Sequence, residues 1–285
     1  MKRVLLMPNP DRDIDLQYTK QIINYLQNRA LLYTSDRFNG VLQGVEAYRK
    51  QDVLYEEIDF VIALGGDGML LQVARESAGG GVPVLGINLG HLGFLSEVER
   101  HEIEERLDCL LNGDYTIEER MMLRGELHRD GGETMTFDAL NDIVVARSQG
   151  TRLIDLTLSI DGEFVDDFRA DGMIVATPTG STAYSMSAGG PIVDPAVQCM
   201  LITPICPHKI YAKNIVIPDS KEITICVHIE NPLPAMVTAD GQAEQMFSIG
   251  DRLIVKRSKH VARLIRMNGN RFYSILHEKL LGKER

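Results

Sequence analysis

Asp67 stands between glycines, in Gly65-Gly66-Asp67-Gly68, directly after the apolar run Phe60-Val61-Ile62-Ala63-Leu64. Glycines at a strand-to-helix turn let a ligand approach the backbone, and the unpaired N–H groups at a helix start favour phosphate. A carboxylate in the middle of an anion-binding loop is electrostatically costly unless it has chemistry to do there. It could accept the proton of an attacking hydroxyl, orient a metal beside phosphates, or simply cap the helix. The spacing is neither the dinucleotide GxGxxG pattern nor the Walker GxxxxGK[ST] pattern, so this segment is neither of those loops.

A second glycine-rich turn, Asn88-Leu89-Gly90-His91-Leu92-Gly93-Phe94-Leu95-Ser96, follows the apolar run Pro83-Val84-Leu85-Gly86-Ile87. Two such turns after neighbouring parallel strands line one carboxyl edge of a sheet, where open α/β folds bind ligands. His91 by itself reads as a structural or solvent-facing residue. A third group comprises Arg169-Ala170-Asp171-Gly172, an apolar run over 173–176, and Thr177-Pro178-Thr179-Gly180-Ser181-Thr182-Ala183-Tyr184-Ser185-Met186-Ser187. The small and hydroxylated residues there read as a loop offering hydrogen bonds to a sugar or phosphate, with Tyr184 as a flat wall for a base. Asn141-Asp142 precedes Ile143-Val144-Val145; an amide and a carboxylate at a strand start could pair with ribose hydroxyls or form a plain turn. Asp240-Gly241-Gln242 by itself reads as a turn.

The elements that must position these residues change character along the chain. Residues 4–7 form a short apolar run stopped by Pro8-Asn9-Pro10, and 14–26 carry Ile22, Ile23 and Leu26 on one helical face. Residues 69–78 and 103–111 also read as helices. Strands alternating with helices predict a parallel, helix-flanked sheet. After Tyr115 short β runs predominate, among them an alternating pattern over 153–160 that meets Asp161-Gly162 and resumes at Phe164-Val165, a hairpin signal. The fold expected is thus a Rossmann-like α/β domain over 1–114, a largely antiparallel β domain over 115–256, and a C-terminal segment, 257–285, packing back on the first.

The chain has 285 residues, 44% hydrophobic and 25% charged, with a formal net charge of −10. That composition is globular, and its acidity disfavours non-specific binding to nucleic acid or to an anionic membrane. No run approaches the length of a secretory or membrane-spanning segment. Cys109, Cys199, Cys206 and Cys226 lack metal-ligand spacing and read as reduced core thiols, and the expected compartment is the cytoplasm.

Taken together, these motifs resemble the NAD kinase family, which phosphorylates the adenosine 2′-hydroxyl of NAD to make NADP. Gly65-Gly66-Asp67-Gly68, the segment 86–95, Asn141-Asp142, Asp171-Gly172 through Tyr184, and Asp240-Gly241-Gln242 occur in the family's order. The glycine-acid loop alone is shared with diacylglycerol, sphingosine and phosphofructokinase relatives; the Thr177-Pro178-Thr179-Gly180 stretch discriminates. A lipid kinase and a non-catalytic NAD(P) sensor are the competing readings. The resemblance implies Asp67 as proton acceptor, Gly65, Gly66 and Gly68 at phosphates, and Gly68 beside NAD. It implies NAD contacts from Asn141, Asp142, Arg169, Asp171, Thr182, Ala183, Tyr184, Ser185, Met186, Ser187 and Gln242. It further implies ATP with a divalent cation, usually magnesium, no metal cage in the protein, and a homodimer or homotetramer. Two departures stand out: Asp142 replaces a common glutamate and is one methylene shorter, and Met69 stands where threonine is common.

Overall fold

The computed structural model describes residues 1–48, 55–90, 93–148, 153–209, 211–227, 235–267, 269 and 272–281. Two compact units emerge, one of Met1–Glu119 with Ala262–Arg285 and the other of Arg120–Val261.

In the first unit the apolar runs become the strands β1 (Lys2–Pro8), β2 (Ala30–Ser35), β3 (Glu46–Tyr48), β4 (Phe60–Gly65), β5 (Val84–Asn88) and β6 (Val98–Glu99). The helices are α1 (Gln17–Leu26), α2 (Asp67–Ala78) and α3 (Ile103–Asn112). Strand order is β3-β2-β1-β4-β5, with β6 beside β5, and every pairing among these strands is parallel. Ile22, Ile23, Leu26, Ile103, Leu107 and Leu110 from α1 and α3 join Val4, Leu6, Ile62, Leu64, Leu85 and Ile87 in one core. α2 covers the opposite face, where a Cβ on Gly86 would come within 2.6 Å of Leu70. This order is that of a doubly wound sheet, and it reverses between β1 and β4. Asn9 follows β1 and Asp67 follows β4, so both lie at that reversal. Helix α1 starts later than the spacing predicts. Asp15 and Leu16 take positive φ (55° and 54°), and the Asp13 carboxylate accepts the N–H groups of Tyr18 and Thr19.

The second unit is β-rich. Its strands are β7 (Thr116–His128, in this unit from Arg120), β8 (Thr134–Ala139), β9 (Asp142–Arg147), β10 (Ile154–Ile160), β11 (Glu163–Ala170) and β12 (Gly172–Ala176), then the short helix α4 (Tyr184–Ser187). They continue with β13 (Cys199–Ile205), β14 (Ile215–Pro218), β15 (Ile223–Val227), β16 (Ala235–Ala239), β17 (Gln242–Phe247) and β18 (Arg252–Arg266, in this unit up to Val261). One antiparallel sheet has the order β14-β13-β12-β9-β16-β17. Its inner residues, among them Ile143, Val145, Met173, Val175, Met200 and Ile202, pack with Leu156, Leu158, Ile223, Ile225, Leu253 and Val255 of β10, β15 and β18. Val144, Ile174, Ala176 and Leu201 on its other face are buried too, against Ala188 and Val193. Burial on both faces explains why these strands read as continuous apolar runs rather than alternating ones. The predicted hairpin at Asp161-Gly162 is present, with φ of 49° and 79° at the two turn residues, as a type I′ turn requires. The expected α/β and antiparallel β portions are therefore both found. Residues 262–285 complete the first unit, with Ile265 in its core and the helix α5 (Phe272–Leu281). Cys206 departs from the expected core thiol: it is exposed at a turn with φ 45°.

Candidate active site

The first unit holds the glycine-acid turn. Gly66 caps α2 in an extended conformation, φ −111°, and Asp67 opens the helix, where a carboxylate suits the positive end of the helix dipole. Gly66, the cap residue, has no side chain with which to close the helix start, and Asp67 follows it as the first helical residue. The Asp67 side chain reaches to the second glycine turn: the Phe94 N–H donates to Oδ2 at 2.8 Å and the Leu95 N–H to Oδ1 at 3.3 Å. Helix capping, one of the roles open to Asp67 in the sequence, is thus not what its side chain does.

The glycines around it have different reasons to be glycine. A Cβ on Gly65 would come to 3.1 Å from both Asn9 and Met69, and one on Gly93 to 1.8 Å from Asp67 Oδ1. Those two positions are closed by the protein itself. A Cβ on Gly66 or Gly68 would meet nothing within 4 Å, and neither residue needs a positive φ. Bare backbone with open space beside it, at a helix start, leaves room for phosphate oxygens to reach N–H groups. Asn88 closes the second turn, donating from its amide to the Gly90 carbonyl and accepting the Gly90 N–H at 3.0 Å, while the Leu89 N–H donates to the Gly65 carbonyl at 2.9 Å. The turns are thereby tied together. His91 lies outside the described residues.

The second unit gathers Asn141, Asp142, residues 177–187 and Asp240. The Asp240-Gly241 turn, with φ of 51° and 68°, joins β16 to β17. Its carboxylate takes the N–H groups of Leu140 (2.9 Å), Asn141 (2.7 Å) and Asp142 (3.2 Å). From the opposite side the Thr177 N–H donates to the Asn141 carbonyl at 2.8 Å, and the Thr177 hydroxyl donates to the Leu140 carbonyl at 2.6 Å. The same hydroxyl accepts the Gly180 N–H at 3.0 Å. Gly180 lies so close that a Cβ would sit 2.1 Å from the Asn141 carbonyl oxygen. The Asn141-Asp142 backbone is thus held on two sides. Asp142 is buried, and that burial, together with the charge of Asp240, pushes its carboxyl up to about 7.

The stretch expected to be a loop after β12 is instead a 3-10 turn over Thr179–Thr182 followed by α4. Its hydroxyls supply the reason. Ser181 bonds both the N–H and the carbonyl of Val193, the Thr182 hydroxyl donates to the Thr179 carbonyl, and Ser185 meets Thr203 at 3.0 Å with both buried. Tyr184 points the other way in exposure, 46% accessible, and Ser187 is exposed beside half-buried Ala183 and Met186. Arg169 is exposed and 3.9 Å from Asp155, whereas Asp171 pairs with Arg147 at 2.8 Å. Gln242 is exposed just past the Asp240 turn. Sequence reasoning missed the part played by Asp240, because its partners lie about a hundred residues away, and the role of Gly93, whose spacing carries no signal of its own.

An α/β unit with an acid at its glycine turn and a β unit with a braced asparagine–aspartate pair define a class of kinase fold. The N-terminal domain of ATP-NAD kinases matches residues 4–115, and the C-terminal domain of the same family matches 140–267. An NAD kinase of Moorella thermoacetica is 44% identical, covering 98% of this chain and 89% of its own. One from Thermoanaerobacter is 41% identical, over 98% and 99%. Among solved structures, yeast NADH kinase complexed with NADH superposes with a TM-score of 0.90 at 26% identity, over 100% of this chain and 88% of that one. An Archaeoglobus fulgidus NAD kinase in complex with ATP gives 0.75 at 26% identity, over 97% and 98%. The chain belongs to the ATP-NAD kinase family. Its activity is that of an NAD kinase, and the lipid-kinase and sensor readings fall away.

Proposed function

We propose that this kinase transfers the terminal phosphate of ATP to the adenosine 2′-hydroxyl of NAD, with Asp67 accepting the hydroxyl proton. The observation that carries the reading is Asp67 itself: a carboxylate at the head of a helix, fixed by two backbone N–H groups, beside two glycines on which a Cβ would meet nothing within 4 Å. Fixing the carboxylate before substrate arrives removes reorganisation at the moment of reaction, which is where phosphoryl transfer draws most of its rate. Gly65, Gly66 and Gly68 form the phosphate-facing turn. Each Asp67 oxygen accepts an N–H and keeps further lone-pair capacity, so the residue fits a divalent cation carried on ATP phosphate oxygens, magnesium first; such an ion would offset the charge developing on the phosphates.

In the second unit, Asn141 and Asp142 take the adenosine portion, with Tyr184 as the apolar wall and Thr182, Ala183, Met186 and Ser187 around it. Ser185 contributes by fixing α4 through Thr203. Arg169, Asp171 and Gln242 complete the dinucleotide contacts. The short reach of Asp142 suits a water-mediated contact, and Met69 removes a hydroxyl from the phosphate side. A homodimer or homotetramer in the cytoplasm is the expected state. Among the described residues no helix is long and apolar enough to cross a membrane.

The test is NADP formation with ATP and inorganic polyphosphate as donors, and NAD, NADH and diacylglycerol as acceptors. ATP with NAD is expected to give product carrying phosphate on the adenosine 2′-oxygen. Phosphate found elsewhere on the dinucleotide, or on the lipid, contradicts the reading.

A further inference from the structure

The peptide that holds Asp67 is itself held from the far end of the chain. Phe94, whose N–H donates to Asp67 Oδ2, lies 6.1 Å ring to ring from Phe272, and the Lys279 ammonium sits 4.5 Å from the centre of the Phe94 ring. Both residues belong to α5. Leu95, whose N–H donates to Oδ1, gives its carbonyl to the Arg266 guanidinium at 2.9 Å. Arg266 is only 11% exposed and also pairs with Glu97 and Glu118 at 3.2 and 2.6 Å; the Met267 N–H donates to Glu97 at 2.9 Å. On the third side, the absence of a side chain on Gly93 makes room for the carboxylate, since a Cβ there would come to 1.8 Å from Asp67 Oδ1. Each of the three residues of the Gly93-Phe94-Leu95 peptide is therefore engaged twice, or fitted once, to put two N–H groups on one carboxylate.

We infer that α5 and Arg266 are positioning elements for catalysis: they fix the Gly93-Phe94-Leu95 peptide, and the peptide fixes Asp67. This rests on Asp67 being the proton acceptor. The Lys279–Phe94 contact is of a kind that adjusts geometry rather than holds a fold together, whereas the nearly buried Arg266 network also contributes to stability. A cation on a partly exposed ring contributes weakly to stability, but a carboxylate displaced by a fraction of an ångström from a reacting hydroxyl loses much of its rate. Lys279 meets the Phe94 ring, and a loss of turnover without a change in KM is the mark of an effect passed through Asp67. Turnover then depends on the C-terminal helix while ground-state binding does not.

The experiment compares Lys279→Ala, Lys279→Arg and Gly93→Ala, each alone and combined with Asp67→Asn, in the full chain. Lys279→Ala is expected to lower kcat about two- to fivefold with KM for NAD unchanged, the scale of one exposed cation–ring contact. Lys279→Arg restores turnover, since a guanidinium also rests on a ring face. Gly93→Ala lowers kcat on the order of 10²-fold or more, as misplacing a catalytic group does. In the Asp67→Asn background these effects shrink towards nothing, because residues acting through one group are not additive. Normal kcat in Lys279→Ala, or a loss that persists undiminished in the Asp67→Asn background, overturns the inference even if Gly93→Ala does not fold. Normal kcat in Asp67→Asn alone is a different result: it removes the proton-acceptor reading, and the inference with it.

Discussion

Asp67 in the first unit and Asp240 in the second use the same device to different ends. Each is a carboxylate that reaches across to another segment and takes its backbone N–H groups, two for Asp67 and three for Asp240. Asp67 lies beside glycines with open space above them. Asp240 lies against Asp142, whose carboxyl is pushed up to about 7 by burial first and by the charge of Asp240 second. Hydrogen bonding to the backbone therefore does not mark a carboxylate as structural or chemical. The setting does. Asp67 opens a helix whose unpaired N–H groups favour phosphate, whereas Asp240 sits in the hairpin turn between β16 and β17 and organises the segment next to it.

The largest expected effect falls on the acid of the glycine turn. Asp67→Asn keeps size but removes the charge and one accepting oxygen, and it turns an amide towards a backbone N–H. A fall in kcat of about 10²–10⁴-fold is expected, the usual range for general acid–base catalysis, with NAD affinity changed far less. Single-turnover and equilibrium-binding measurements separate the two. Wild-type turnover makes Asp67 a second Asp240.

On the structural side, Gly180→Ala forces a Cβ to 2.1 Å from the Asn141 carbonyl oxygen. Backbone cannot yield as a side-chain tip can, so a loss of stability of about 1–3 kcal/mol is expected from overpacking. Denaturant unfolding measures it, and an unchanged midpoint means that the Asn141 segment is not held as tightly as described.

How far the contrast was visible in the sequence depends on the reach of each interaction. The strand–glycine–helix unit around Asp67 was legible, because an apolar run, a glycine turn and a helical pattern are contiguous. So was the Asp161-Gly162 hairpin, where two turn residues dictate backbone shape. The Asp240 turn was legible only as a turn: its conformation is local, but its three hydrogen bonds go to residues about a hundred positions earlier. The conformation of residues 177–187 was not legible for a similar reason. Their hydroxyls suggested a ligand-facing loop, yet Thr177, Ser181 and Ser185 spend them on Leu140, Val193 and Thr203, which winds the segment into a 3-10 turn and α4. Gly93 was indistinguishable from its neighbouring glycines, since only the position of Asp67 makes a side chain there impossible.

The buried pair sets a pH dependence. Asp142 has a folded-state value of about 7, above the ordinary carboxylate range, so from about pH 4 to 7 the folded chain holds a proton that the unfolded chain has released. Its contribution to stability is therefore greatest below that window and declines as pH rises through it, by a few kcal/mol at most. Asp142→Asn is expected to flatten this decline, seen as a smaller difference between unfolding midpoints at pH 5 and pH 8 than in the wild type. An identical difference means that Asp240 and burial leave Asp142 ionised. The smallest expected effect belongs to Tyr184→Ala. A ring packed on a base contributes about 0.5–1.5 kcal/mol beyond its area and acts equally in ground and transition states, so KM for NAD should rise several-fold with kcat nearly constant. A normal KM removes Tyr184 from the dinucleotide contacts.

The contrast is tested most directly by measuring kcat and melting temperature together for Asp67→Asn and Asp240→Asn, prepared and assayed side by side. A crossed result is expected. Asp67→Asn keeps a melting temperature near the wild type and loses turnover by about 10²-fold or more. Asp240→Asn, with buried N–H groups left short of an acceptor, loses about 1–3 kcal/mol of stability and keeps far more of its turnover in the folded fraction. If Asp67→Asn loses stability and retains its turnover, Asp67 is a brace for the second glycine turn and not the acceptor of the proton.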